Sequence, residues 1–221
     1  MSTSIATLGE LKADIADTMN RTDLTVQIPR FIRLCHVDIQ SRFSTNEMEK
    51  NATWTMTAND PEFTLPADYH AMRRLEYSAG AGDVREVTLG PFSPISVAQS
   101  LAQTGYPRLY SVRGDGDGDT TIILKGHLTP TPSTTFTGTI YYYRSCPIFD
   151  FTDDDDTNWI LTEYPTVWLY GALLSSLPKI GNDSRSQMWA TYYEQGLDNI
   201  ISSDKNKRFN KAPELRSALM S

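Results

Sequence analysis

Cysteine is scarce in this chain. Cys35 and Cys146 stand far apart with no CxxC spacing, which excludes a disulfide framework and a thiolate-rich zinc site. Neither is needed, since a chain of 221 residues hides roughly 70% of its unfolded surface on folding. The three histidines, His36, His70 and His127, fall in three separate segments. No G-x-S-x-G, Walker loop or H-E-x-x-H occurs either, so the familiar motifs of nucleophilic, phosphoryl-transfer and zinc chemistry are all missing. Basic residues are outnumbered, with 20 Lys and Arg against 27 Asp and Glu and a net charge of -7. That balance argues against a general nucleic-acid binder, whose affinity comes from cations displacing counterions on phosphate. Long apolar runs are absent as well. The longest uncharged apolar run, Tyr164 to Pro178, has 15 residues, short of the roughly 20 that span a bilayer, so it predicts a buried core helix and a soluble protein without a membrane partner. The start, "MSTSIATLGELKADIADTMN", carries acids and no apolar h-region, which predicts no secretory signal.

What is present is a chain that should fold: 39% of its residues are hydrophobic and 21% charged, far from disordered composition. Thr7 and Glu10 make a capping box ahead of Leu8, Leu11, Ile15 and Met19 at helical spacing. Pro29 suits the first turn of a second helix with the stripe Ile28, Ile32, Cys35, Ile39 and Phe43. Cys35, on that apolar stripe, reads as a buried structural thiol rather than a reactive one. From Ala52 to about Phe151 the runs "ATWTMTA", "FTL", "MRRLEYS", "VREVTL", "PRLYSVRG", "TTIILKG" and "GTIYYYRS" are short, β-branched or aromatic, and punctuated by Pro, Gly, Asp and Asn. They predict antiparallel strands, with a short helix over 93–102 capped by Ser93. Helical signals return from Trp159 to Lys179, apolar nearly all round, and after Asp183 with Trp189, Tyr193, Gly196 and Ile200 on one face.

The expected fold class is therefore α+β, a helical bundle built from N- and C-terminal helices with an inserted antiparallel β domain. The segments are 1–50 for the N-terminal helices, 51–157 for the β domain, 158–204 for the C-terminal helices and 205–221 for a basic tail. Ile32, Ile39, Trp168, Leu174, Trp189 and Ile200 are expected to share one core.

Three charged stretches invite a functional reading. Asp153 to Asp156 directly precede a helical run. Four adjacent side chains point different ways and do not converge on one cation, so they read as a capping loop facing the positive end of a helix dipole. "GDGDGDT", 114–120, places Asp115, Asp117 and Asp119 like the first acids of an EF-hand loop. Thr120 stands where that loop needs Gly, and Gly126 where it needs a bidentate Glu, so a hairpin turn is expected and no metal site is assigned. The aromatics of 141–193 lack interleaved Lys and Arg and are expected to pack the core rather than stack on bases. The C-terminus differs: residues 1–204 carry net -11, while 205–221 carry net +4 together with scattered apolar groups. This tail is expected to stay mobile in the free subunit and to order against a partner, with Lys205, Lys207, Arg208, Phe209, Lys211, Leu215 and Arg216 as the contact residues.

Four segments in order, "FTLPADYHAMRRLEY" (63–77), "GYPRLYSVRGDG" (105–116), "IYYYRSCPIFD" (140–150) and "NWILTEYPTVWLYGALLSSLPKIGNDSRSQMWATYYEQGLDNI" (158–200), resemble the head-to-tail adaptor (connector) proteins of short-tailed bacteriophages. The resemblance covers about residues 5–203 and brings no catalytic residue and no cofactor. It implies a non-enzymatic virion protein of the tail or neck, assembled in the host cytoplasm. Its implied partners are the portal protein, tail nozzle or tail tube proteins, and itself as a ring homo-oligomer, a dodecamer, through whose lumen DNA passes without specific binding. An acidic wall fits such passage, since it cannot replace counterions on phosphate. Two other classes are a tail-associated peptidoglycan hydrolase, which needs a cleft carboxylate of raised pKa, and a DNA-binding packaging factor, which needs a basic face.

Overall fold

The computed structural model describes residues 5–21, 23–80, 82–90, 103–115, 123–181 and 183–209. The helix expected over 93–102 and most of the Gly/Asp run lie outside the described residues. The chain divides into two compact units, Met1–Asn46 with Cys146–Ser221, and Glu47–Ser145.

The first unit holds the helices α1 (Leu8–Met19), α2 (Ile28–Arg42), α3 (Trp159–Glu163), α4 (Pro165–Ile180) and α5 (Ser186–Phe209). The capping box forms as read: the Thr7 side chain accepts from the Glu10 amide at 3.3 Å, and Glu10 accepts from the Thr7 amide at 3.3 Å. Asn20 ends α1 in the left-handed region at φ 51°, a conformation its short polar side chain tolerates. The single helix expected from Trp159 is broken at Tyr164, because Pro165 has no amide proton to donate and pushes the residue before it out of helical backbone. Each of the other four helices packs on α4. Ile32, Ile39, Trp168, Trp189 and Ile200 are buried, while Leu174 is only partly so.

The second unit is a sheet. Its nine strands are β1 (Glu49–Met56), β2 (Glu62–Thr64), β3 (Tyr69–Gly80), β4 (Asp83–Leu89), β5 (Thr104–Gly105), β6 (Leu109–Asp115), β7 (Ile123–Thr129), β8 (Thr131–Pro132) and β9 (Phe136–Arg144). Seven of them form one sheet in the order β1-β9-β3-β4-β6-β7-β2, and β5 pairs with β8. The end strands β1 and β2 approach each other, with Trp54 and Phe63 at 4.5 Å between ring centroids, so the sheet curls nearly into a barrel. Its core gathers Trp54, Phe63, Leu75, Tyr77, Leu128, Phe136, Ile140 and Tyr142. Gly126 of β7 lets the Phe63 ring lie across that strand, since a Cβ there would occupy the ring's own space.

These findings correct the expected fold class. Among the described residues the protein is mostly this large, nearly closed seven-stranded sheet, together with five helices, and not a helical bundle with an inserted antiparallel β domain. The sheet is mixed, because β4 pairs with β6 in parallel through Thr88↔Leu109 and Leu89↔Tyr110, and the separate β5–β8 pair is parallel too. Parallel pairing needs a crossover that local alternation of apolar residues does not report. The helices, in turn, gather on α4 as a hub instead of packing in series as bundle neighbours do.

Candidate functional site

Helix α5 continues past the expected boundary to Phe209, so Lys205, Lys207 and Arg208 sit on its last turns. Two effects favour this extension. Cations near a helix C-terminus oppose its negative end, and Asp204 pairs with Arg208 one turn later at 2.8 Å. Asp204 also accepts the Asn46 amide at 2.7 Å, and Arg208 reaches the Ser44 carbonyl at 3.5 Å, which ties the helix end to the segment after α2. Lys207 lies 4.0 Å from Glu163 of α3. Lys205 is exposed and has no such partner among the described residues. Lys211, Leu215 and Arg216 lie outside the described residues. Four of the seven expected contact residues, Lys205, Lys207, Arg208 and Phe209, thus lie on the helix.

Two of the four aspartates, Asp154 and Asp156, meet a helix other than the one they precede. Asn158, not an aspartate, caps α3 by accepting the Leu161 amide at 3.0 Å. The Asp loop instead closes the start of α1: the Leu8 amide donates to the Asp156 carbonyl at 2.9 Å and the Gly9 amide to the Asp154 carbonyl at 2.8 Å. Lys12 adds an ion pair to Asp154 at 2.6 Å. Asp153 accepts the Asp155 amide and Asp156 accepts the Asp150 and Thr157 amides, so these carboxylates shape their own turn. Gly9 permits the approach, because a Cβ there would stand 3.2 Å from the Asp154 Cβ and carbonyl oxygen. No group of three His, Cys, Asp or Glu able to hold a metal occurs among the described residues.

Two grooves gather networks of polar side chains. In the helical unit a groove of about 270 Å³ is bordered by Cys35, Asp38, Arg42, Gly171, Tyr193 and Glu194. The Tyr193 hydroxyl donates to Asp38 at 2.7 Å, and Arg42 bridges Asp38 at 2.9 Å and Glu194 at 3.0 Å. Burial, with Asp38 nearby, pushes the Cys35 thiol up, and burial with Cys35 and the Asp38 hydrogen bond pushes the Tyr193 phenol up. Both groups stay protonated, so the groove offers a helix-joining network and no nucleophile.

In the sheet unit a groove of about 650 Å³ is lined by Glu49, Lys50, Asn51, Arg73, Arg74, Tyr141 and Tyr142. Its cations are matched to acids: Lys50 to Asp68 at 2.8 Å, Arg74 to Glu76 at 3.1 Å, and Arg73 to Glu49. A set of paired charges makes a poor track for phosphates, which need cations free to replace counterions. Tyr142 is pushed up to about 12 by burial and by donating to Asp68 at 2.7 Å. Burial works to raise the Asp68 carboxyl, but its hydrogen bonds from Lys50 and Tyr142 outweigh that and hold it below the ordinary range. Asp23, Asp150 and Asp183 are likewise held low, by hydrogen bonds from Arg21, Thr152 and Arg185. These four carboxyls thus move downward, toward the ionised form and away from general-acid use.

Across both units the built features are joints: a clasped helix start, a tethered helix end and two networks of paired charges. None of the described helices is long and apolar enough to cross a membrane. Compared with known proteins, the chain matches no curated protein, but the sequence model of the SU10 adaptor protein family matches residues 6–215. That match runs through the helices at both ends and the whole of the intervening sheet, and so the chain belongs to the SU10 adaptor protein family and is a bacteriophage head-to-tail adaptor, a structural component of the virion.

Proposed function

We propose that this protein acts as a ring of identical subunits, a dodecamer, that docks beneath the portal protein, receives the tail nozzle or tail tube proteins, and leaves a lumen for DNA. The family match over residues 6–215 carries this reading. It performs no chemistry in this role; its work is to hold partners in register. The net charge of -11 over residues 1–204 supports passage of DNA without adhesion, because an acidic wall cannot substitute for the counterions on phosphate. The portal contact falls to the C-terminal residues Lys205, Lys207, Arg208, Phe209, Lys211, Leu215 and Arg216. Support comes from α5, which presents the first of these on a helix end anchored through Asp204, and from the positive charge of this segment against an acidic body.

The test is a native mass measurement of the full chain with and without portal rings, repeated on a chain lacking residues 210–221, which keeps all of α5. The wild type should load onto the portal ring in multiple copies, with binding weakened by salt. The shortened chain should melt like the wild type and fail to load. Normal loading by the shortened chain would move the portal contact away from the C-terminus.

A further inference from the structure

The helical unit turns two apolar patches to solvent on different helices. On α2 the buried stripe Ile32, Cys35 and Ile39 faces α4, which leaves Leu34 and Val37 on the far side, 49% and 67% exposed. Arg30, one turn before Leu34, is exposed and has no ion pair, hydrogen bond or ring contact among the described residues. On α5, Tyr193 and Glu194 turn toward α2, where they meet Asp38 and Arg42. Met188 and Tyr192 therefore face elsewhere, 45% and 43% exposed, with Tyr192 beside Tyr170 at 5.1 Å between ring centroids. Asp198, further along α5, is exposed and equally without a partner among the described residues.

Each patch lacks what the other holds. One pairs aliphatic groups with a free cation, and the other pairs a thioether and an aromatic ring with a free anion. Their apolar groups can also be set in register. At a rise of ~1.5 Å per residue, Val37, Leu34 and Arg30 extend over about 10 Å and Met188, Tyr192 and Asp198 over about 15 Å. With Val37 set on Met188 and Leu34 on Tyr192, Asp198 stands about 3 Å further along its helix than Arg30 does along α2 and about 120° round α5 from Tyr192, at the edge of the face, where the long Arg30 side chain meets it.

We propose that the outward face of α2 in one copy of this chain, Arg30, Leu34 and Val37, docks on the outward face of α5 in the next copy, Met188, Tyr192 and Asp198. Each copy offers one of each face, so the contact is heterologous and repeats from subunit to subunit until it closes. This inference rests on the ring reading above and names the surface that makes the ring. Apolar groups at its centre supply burial, while the Arg30–Asp198 pair fixes direction, since two α2 faces would set cation against cation.

The experiment is a charge exchange in the full chain, read by native mass on portal rings. Arg30→Asp and Asp198→Arg should each lower ring occupancy at least about tenfold without changing the thermal melt, because neither residue has a partner among the described residues. The double variant should restore assembly. Single variants that assemble like the wild type would overturn this interface while leaving the ring intact. Impaired single variants that the double does not restore would overturn it too, and give these faces to the portal or a tail protein. Loading of the wild type only as isolated monomers would remove the ring reading and this inference together.

Discussion

Trp168 offers the most demanding check on how the helical unit is held together. Its side chain is fully buried, stacks parallel to His36 at 6.3 Å and tilts against Phe149 at 4.9 Å. Its indole Nε1 donates to Asn158 Oδ1 at 3.2 Å, the same oxygen that caps α3 by accepting the Leu161 amide. Trp168→Ala removes a large ring from the hub helix and leaves a cavity, which costs about 3–5 kcal/mol. The lost hydrogen bond accounts for only about 0.5–1.5 kcal/mol of this, because Leu161 still satisfies Asn158. Trp168→Phe, which keeps most of the packing, should therefore cost roughly a third as much. At a urea dependence of about 2 kcal/mol per molar, the alanine variant should lower the unfolding midpoint by about 2 M. Protection of the α4 amides from hydrogen exchange should fall in step. A midpoint shift below about 0.5 M with unchanged slope would mean that the helices do not depend on this contact, and would refute the hub arrangement.

Two further outcomes follow from close contacts. A Cβ at Gly171 would intrude on the Cys35 sulfur and lie 2.7 Å from the Tyr193 ring, so Gly171→Ala should destabilise by about 1–3 kcal/mol, and adding Cys35→Ala should recover part of the loss in a double-mutant cycle. His127 is buried on β7, and burial, with Arg113 nearby, holds its pKa below the ordinary value despite the opposing pull of Glu62 and Asp60. The unfolded chain thus binds the proton first: stability is full above about pH 6.5, falls as pH drops below it, and levels off once the folded histidine protonates as well. Thermal melts between about pH 7 and about pH 5 should show a steeper decline for the wild type than for His127→Gln, and equal slopes would show that the histidine carries none of the dependence.

Local signals in the sequence served best where the structure is local. The capping box at Thr7 and Glu10 and the buried stripes of α1, α2 and α5 depend on neighbours within one or two turns. Pro165 also stood in plain view, and its effect on Tyr164 could have divided the long apolar helix beforehand. What could not be read is non-local. The parallel β4–β6 pair and the near-closure of the sheet at Trp54 and Phe63 arise from pairing choices that period-two alternation leaves open, which is why the expected fold class failed. The aspartates were expected to cap the helix they precede, but Asn158 caps it, and the Asp loop meets α1 through the main-chain carbonyls of Asp154 and Asp156, a contact that nothing local marks. At the candidate portal contact, the boundary at 205 followed the change in charge, whereas the helix follows Asp204 and its partners Arg208 and Asn46 out to Phe209.

The hub position of α4 also dictates the order in which the chain can fold as it is made. Helices α1 and α2 emerge from the ribosome first, yet the surface that covers their apolar stripes is supplied by Pro165–Ile180. At ordinary elongation rates that surface follows roughly 10 s later. The sheet waits in the same way, because β1 and β3 both hydrogen-bond to β9, the last strand of its unit. Neither unit can close on a nascent chain that stops before these late segments. A truncated translation product should consequently expose Ile32, Ile39 and Trp54 together, which makes it a substrate for chaperones and proteases.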